Sequence, residues 1–171
     1  MNQQDVTDAF EIENKAAAII DAKHTGGGNF QVKLSDLSGR NDEQLINTIG
    51  DYDGQVIAPI SPGKYAFEVT YSQEYSLEMV DWGELQTAPI SLSETDGKVI
   101  PIEITDPLRV ELEATEKDNV QVSLHNGLGQ KVESLANEIG PTETTFMIRQ
   151  TGQAFLFFDL RGSWEAEITE M

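Results

Sequence analysis

The sequence lacks most of the residues on which enzyme active sites are built. It has no cysteine in 171 residues, which excludes disulfide bonds, thiolate metal sites and thiol catalysis. It also lacks the GxSxG, HExxH and phosphate-binding glycine-loop motifs. The glycine triplet at 26–28 precedes neither a helical pattern nor a basic residue, so we interpret it as a strand connection. We therefore expect no enzymatic activity and no cofactor.

Positive charge and long apolar runs are scarce as well. Thirty acidic residues face eleven basic ones, giving a formal charge of −19 and a pI near 4.2. Such an acidic surface repels phosphate backbones and anionic lipids, so nucleic acid and membrane surfaces are poor partners. The longest apolar runs, AAAII at 16–20 and AFLFF at 154–158, are too short to cross a bilayer. The start, MNQQDVTDAF, does not resemble a signal peptide, so we expect synthesis in the cytosol.

What the sequence does contain is an internal duplication. Residues 29–50 align without a gap on residues 119–140, with ten identities in 22 positions. After one deletion, PGKYAFEV at 62–69 aligns with TGQAFLFF at 151–158, and Tyr75 falls opposite Trp164. Chance would produce one or two identities, so the chain is a tandem repeat. The identical pairs are Asn29/Asn119, Gln31/Gln121, Val32/Val122, Leu34/Leu124, Gly39/Gly129, Glu43/Glu133, Leu45/Leu135, Asn47/Asn137, Ile49/Ile139 and Gly50/Gly140.

The apolar residues of each copy recur with a period of two, which predicts strands. Phe30, Val32 and Leu34 alternate with polar neighbours, and turn signals such as DYDG at 51–54 separate the runs. The segment 90–104 has a DG turn between two alternating runs and predicts a hairpin. ENKAAAII at 13–20 is compatible with a helical turn, but its counterpart LRVEL at 108–112 favours a strand.

These patterns predict an all-β protein of two tandem antiparallel β-sandwich domains, Ig-like or jelly-roll-like, over residues 1–83 and 84–171. Domains of this size bury only about 60–65% of their surface, so we expect mutual packing or homo-oligomerisation.

Histidines and acidic turns are the candidates for chemistry. The repeat aligns Ala114 with His24 and Ser35 with His125, so we interpret both histidines as solvent-facing strand residues rather than catalytic groups. Asp51 and Asp53, with Asp42, Asp36 and Asn41 on the neighbouring turn, offer oxygens that suit Ca²⁺. A turn built from Asp and Gly for backbone reasons is the alternative.

The two copies differ most in the strand at 153–158. Phe155 and Phe157 replace Ala66 and Glu68, on the face that is polar in copy one. The preceding strand is also apolar, with Phe146 and Ile148 aligned on Ile57 and Pro59. Contiguous exposed apolar area marks interfaces, so we predict that Phe155, Phe157, Phe146 and Ile148 contact another subunit or copy one. Burial on both faces, beneath the 84–107 linker, is the alternative.

Two resemblances extend this interpretation. The motifs at 29–54 and 62–69, with Trp164, resemble small β-sandwich domains of secreted and surface proteins of bacteria and archaea. The acidic composition resembles that of haloarchaeal proteins, which work in molar salt where charges beyond about 3 Å are screened. Together they imply an exposed structural protein of a haloarchaeal virus, such as a capsid turret, decoration or fibre subunit at the virion surface. The alternative is a binding module of a secreted or cell-surface protein that recognises glycan or protein through its loops.

Overall fold

The computed structural model describes residues 2–14, 16–39, 42–115 and 119–171. Within these residues the chain forms antiparallel strands and no helix, which confirms the all-β fold class. The first eight strands are β1 (Gln3–Val6), β2 (Phe10–Ile12), β3 (Ala16–Thr25), β4 (Asn29–Asp36), β5 (Asp42–Ile49), β6 (Tyr52–Ile60), β7 (Gly63–Tyr71) and β8 (Glu74–Val80). The next eight are β9 (Ile90–Thr95), β10 (Lys98–Ile104), β11 (Leu108–Ala114), β12 (Asn119–Asn126), β13 (Lys131–Ile139), β14 (Thr142–Ile148), β15 (Gly152–Asp159) and β16 (Ser163–Glu170).

The chain divides into two compact units, Met1–Val80 and Asp81–Met171. The repeat suggested a domain boundary near residue 83. That each copy folds alone on its side of this boundary stays a prediction.

Unit 2 is a sandwich of two four-stranded sheets. One sheet has the order β10-β15-β12-β13, and the other has the order β14-β11-β16-β9. Alternate residues of both sheets point into one core, where Val122 and Phe158 of the first sheet meet Val110, Trp164 and Ile168 of the second. Counted from β9 as the first strand, the orders are 2-7-4-5 and 6-3-8-1. These are the strand orders of the eight-stranded jelly roll.

Unit 1 has the same arrangement except at two positions in its sheets. Its larger sheet has the order β1-β7-β4-β5, with β2 also paired to β7, and its smaller sheet has the order β6-β3-β8. Strands β1 and β2 together take the place that β10 has in unit 2. Among the described residues, no strand lies beside β8 where β9 lies beside β16. Unit 1 is therefore a jelly roll without its first strand.

The strand registers of the two units match the repeat. His24 pairs with Tyr75 between β3 and β8, and the aligned residues Ala114 and Trp164 pair between β11 and β16. Asn29 pairs with Ile49 in unit 1, as Asn119 does with Ile139 in unit 2, and both hairpins have an irregularity directly after their aligned valines. The duplication has thus kept the cross-strand neighbours as well as the strands.

The glycines shared by the copies lie in turns that require them. Gly50 and Gly140 follow β5 and β13 with φ values of 95° and 92°, and Gly39 and Gly129 have φ values of 75° and 77°. A side chain is strained in this left-handed region, so glycine is the residue that these turns favour. The repeated LINTIG and LANEIG segments are therefore edge strands that end in the same kind of turn.

Two predictions were wrong, one about the alignment of the two copies and one about a hairpin. The sequence analysis aligned Ile148 with Pro59. In the structure Ala18 pairs with Ala58, and Leu108 pairs with Ile148, so Ile148 occupies the place of Ala58. The deletion in copy two therefore lies after these residues. The predicted hairpin at 90–104 does not form, because β9 pairs with β16 and β10 pairs with β15, in different sheets. In a jelly roll the first two strands belong to opposite sheets, so the turn at Asp96 crosses between them.

Candidate functional site

His24 lies inside unit 1, which corrects the prediction that it faces solvent. It is 2% exposed, and its ring stacks on Phe30 with 4.6 Å between centroids. Its Nδ1 donates to the carbonyl oxygen of Gly50 at 2.7 Å, and its Nε2 accepts the amide N–H of Ser72 at 3.2 Å. Both ring nitrogens hold turns together, so His24 stabilises the fold.

His125 is also buried, at 7% exposure, so the solvent-facing prediction was wrong for it too. Its Nδ1 donates to the carbonyl oxygen of Gly129 at 2.8 Å, and the hydroxyl of Ser123 donates to Nε2 at 2.9 Å. Burial lowers the pKa of this imidazole below its ordinary value of 6.5. A hydroxyl beside an imidazole suggests a nucleophile and its base. Ser123 is itself buried, and the ring of Phe157 packs edge-on against the imidazole of His125 with 6.1 Å between centroids. A substrate therefore has no access to Ser123 and His125.

The acids predicted to bind Ca²⁺ each have a separate protein partner. Asp51 accepts the amide N–H of Gly26 at 2.8 Å. Asp53 forms an ion pair with Lys23 at 3.0 Å, and Asp42 forms one with Lys33 at 2.6 Å.

The turn that completes the predicted Ca²⁺ site is only partly described. The side chain of Asp36 accepts the amide N–H of Ser38 at 2.8 Å, as in a turn built for backbone reasons. Asn41 lies outside the described residues. Over residues 2–14, 16–39, 42–115 and 119–171, no group of three His, Asp or Glu side chains converges as a metal site would require.

Two of the residues predicted to form an interface are interior, which corrects that prediction for them. Phe155 is 2% exposed and Ile148 is fully buried. Trp82, from the segment before β9, contacts Phe155 edge-on with 5.5 Å between centroids. The amide of Gln86 donates to the carbonyl of Pro101 at 2.9 Å, so the same segment runs along β10. Phe155 is therefore covered by Trp82, which precedes the 84–107 linker that the alternative interpretation named.

The other two predicted interface residues are half-buried. Phe157 lies between Val99 and Ser123 on the neighbouring strands, and Phe146 packs at the margin of the core. Their contact with another subunit stays a prediction.

Unit 2 has an acidic face on the outer side of β14, β11 and β16. Glu113 lies directly opposite Glu143 on one side and Glu165 on the other, and Glu111 lies opposite Glu167. We call these five glutamates the glutamate ladder. They line a shallow groove of about 330 Å³.

Little positive charge balances the ladder. Arg109 pairs with Glu111 at 2.5 Å, and Ser91 donates a hydrogen bond to Glu167 at 2.7 Å. In unit 1 the aligned positions hold opposite charges, because Lys23 and Asp53 replace Glu113 and Glu143. The ladder can attract cations to the surface.

Sequence reasoning did not identify the ladder. The signal was present in the alternating glutamates at 111 and 113 and at 165 and 167. Only the strand register shows that these pairs lie side by side and meet Glu143 on a third strand.

No helix in the described part of the chain has the length and apolar character needed to cross a membrane. No protein-family model and no curated protein matches the sequence.

Two solved structures overlap the chain loosely. The chain is similar to PBSX exported protein XepA with a TM-score of 0.31 and 12% identity, over 97% of this chain and 85% of that one. It is similar to the protein YhaK from Escherichia coli with a TM-score of 0.30 and 11% identity, over 99% of this chain and 83% of that one. Overlaps this loose carry no inference about function.

Proposed function

We propose that this chain is a non-enzymatic structural protein, an exposed component of a haloarchaeal virus particle such as a capsid turret, decoration or fibre subunit. It acts through symmetric assembly with copies of itself and with other structural proteins of the same particle. Its place is the virion surface, where it is available for contact with the host.

The observation that carries this proposal is the use of one jelly-roll scaffold twice, with its registers retained and its polar interior groups used to hold turns. His24 and His125 bond to the carbonyls of turn glycines, and their positions differ between the copies. A duplicated building block without a shared reactive cleft is what an assembly subunit requires. Jelly rolls serve in viral capsids and also in lectins, so this fold-level analogy supports a surface role without selecting one.

The proposal is tested by the state of the purified protein and by its location. In about 2 M NaCl, where an acidic surface is screened, we expect sedimentation and electron microscopy to show a discrete symmetric oligomer. Antibodies against the chain, applied to thin sections of the organism that encodes it, should label particles. A protein that stays monomeric at all salt concentrations contradicts the proposal.

A second candidate is a binding module of a secreted or cell-surface protein that recognises glycan or protein through its loops. It is favoured by exposed leucines in corresponding turns, Leu37 at 55% exposure and Leu128 at 43%, each near a left-handed glycine. Glycan-array binding that is lost in a Leu37→Ser, Leu128→Ser double variant would support this candidate. Antibody labelling of cell surfaces rather than particles would point the same way.

A further inference from the structure

In the part of the chain that the structure describes, unit 1 has no strand in the place of β9, and one side of β8 is therefore unpaired. In unit 2 the corresponding strand β16 lies between β11 and β9, and it pairs with both along its length. Among the described residues, β8 pairs with β3 alone. The N–H and C=O groups on the other side of β8 therefore form an open edge at which a further antiparallel strand can pair.

The inward side chains of β8 are more exposed than the corresponding side chains of β16. Trp164, Ala166 and Ile168 point inward from β16 and are buried at 2%, 2% and 0% exposure. The corresponding residues of β8 are Tyr75, Leu77 and Met79. Tyr75 and Leu77 are only half-buried, and Met79 is 40% exposed. In unit 2, Ile90 and Leu92 of β9 pair with Ile168 and Ala166, so β9 lies over the margin that unit 1 leaves open.

The edge at β8 also lacks a common protection against strand pairing. β6, the opposite edge of the same sheet, contains Pro59, which has no N–H to offer a neighbouring strand. β8 contains no proline, and its inward residues Tyr75, Leu77 and Met79 include no charge.

We propose that β8 is a self-association edge, at which β8 of one copy pairs antiparallel with β8 of a second copy about a two-fold axis at Leu77. The two small sheets then form one continuous six-stranded sheet. This inference rests on the self-assembly proposed above and names the contact through which it occurs.

The sequence of β8 suits this register because it is nearly symmetric about Leu77. Leu77 of one copy lies beside Leu77 of the other, and each Tyr75 lies beside a Met79, so apolar side chains meet on the inner face. On the outer face each Glu78 lies beside a Ser76, and each Glu74 lies beside a Val80. No acid is directly opposite another acid, which is the arrangement that would destabilise the pair most.

The first test compares two lysine substitutions at methionines of similar exposure. Met79→Lys places a charge on the inner face of β8, whereas Met147→Lys adds the same charge on the outer face of β14, where Met147 is 46% exposed. In sedimentation experiments at about 2 M NaCl we expect M79K to raise the dimer Kd at least about tenfold, while M147K leaves it unchanged. Circular dichroism establishes that both variants are folded.

The possible results separate the two proposals. An oligomer that persists in folded M79K overturns the β8 contact but leaves the proposed structural function in place. A wild-type protein that is monomeric in all conditions contradicts both. If M79K fails to fold, the cysteine variants below decide the question.

The second test measures the register and uses the absence of native cysteine. In the proposed pairing, the two Leu77 Cβ atoms lie about 5 Å apart, whereas two Met79 residues are separated by four strand positions, or about 13 Å. Oxidation should therefore link Leu77→Cys chains into covalent dimers on a non-reducing gel and leave Met79→Cys chains monomeric. Efficient linkage of M79C, or no linkage of L77C, overturns the proposal.

Discussion

At the scale of single residues, the two histidines serve the fold by bonding to glycine carbonyls. Each ring uses both nitrogens, one for a turn carbonyl and one for a serine. A buried imidazole leaves such a network when it is protonated, because Nε2 can then no longer accept a hydrogen bond. His125 therefore connects the stability of unit 2 to pH.

We predict that the free energy of unfolding falls as the pH decreases below about 6.5 and that His125 is one cause. The folded pKa of His125 lies below its unfolded value, so the unfolded state takes up the proton first. The contribution of His125 to stability is fully present above its pKa in the unfolded state. It is lost as the pH falls through its lower pKa in the folded state. Urea unfolding at about pH 7.5, 6.5 and 5.5 measures the slope.

Two variants separate protonation from the loss of a hydrogen bond. His125→Gln should show a weaker pH dependence than the wild type. Ser123→Ala should lose about 1 kcal/mol of stability but keep most of the wild-type slope, since it retains the burial that is the main cause of the lowered pKa of His125. A His125→Gln slope equal to that of the wild type would contradict the prediction.

At the scale of strands, the glutamate ladder places like charges in direct cross-strand pairs. Such pairs destabilise a sheet by a few tenths of a kcal/mol each, and salt weakens the effect. In unit 1 the same positions form the Lys23–Asp53 ion pair. The two copies therefore have a favourable pair on β3 and an unfavourable pair at the same position on β11.

We predict that Glu113→Lys, which restores the residue of copy one, raises the free energy of unfolding by about 0.5–1 kcal/mol at low salt. The new ammonium would lie between Glu143 and Glu165. Lys23→Glu in unit 1 should lower stability, because it places a carboxylate directly opposite Asp53. Thermal unfolding in about 0.1 M NaCl measures both changes, and each should shrink in about 2 M NaCl.

Glu138→Gln is the control for a simple change in net charge. Glu138 is exposed and lies opposite Val120 rather than an acid, so its neutralisation should alter stability little. An equal gain in Glu138→Gln and Glu113→Lys would show that net charge matters and that the ladder does not.

At the scale of the whole molecule, repulsion among the acidic side chains opposes compaction in addition to the loss of conformational entropy. A formal charge of −19 in 171 residues acts on both units. The ion pairs of Lys23, Lys33 and Arg109 relieve little of this repulsion, because their side chains are at least one-third exposed.

We predict that the melting temperature climbs steadily as NaCl or KCl is raised from about 0.1 M to about 2 M. Screening reduces the repulsion among acidic side chains, and salt also favours apolar burial. Differential scanning calorimetry measures the profile, with sucrose as a control for non-ionic stabilisation. A flat or falling profile would remove the haloarchaeal interpretation.

We also predict that residues 1–80 and 81–171, produced as separate chains, each retain β-sheet circular dichroism at high salt. Every strand pair among the described residues lies within one unit, and β9 and β10 both pair with strands of unit 2. Two unfolded fragments would show that the units depend on each other.

Much of the fold could be predicted because strand alternation and turn chemistry are local properties. The repeat located β4, β5, β12 and β13. The candidate site was predicted poorly. Proximity in sequence suggested a cation site at Asp51, Asp53 and Asp42, but each of these acids has its own partner. Phe155 was predicted to be exposed because Trp82, which covers it, comes from a distant segment.

The sequence by itself determined the duplication, the strand period and the glycine turns, because each depends on residues that are neighbours along the chain. The tertiary structure alone decided which sheet each strand joins, and so separated β9 from β10. It also decided that His24 and His125 are buried, that five glutamates align across three strands, and that β8 has an open edge. These features depend on contacts between distant segments. A period of two along the sequence specifies the face of a strand on which each side chain lies, but it does not specify which strand is the neighbour.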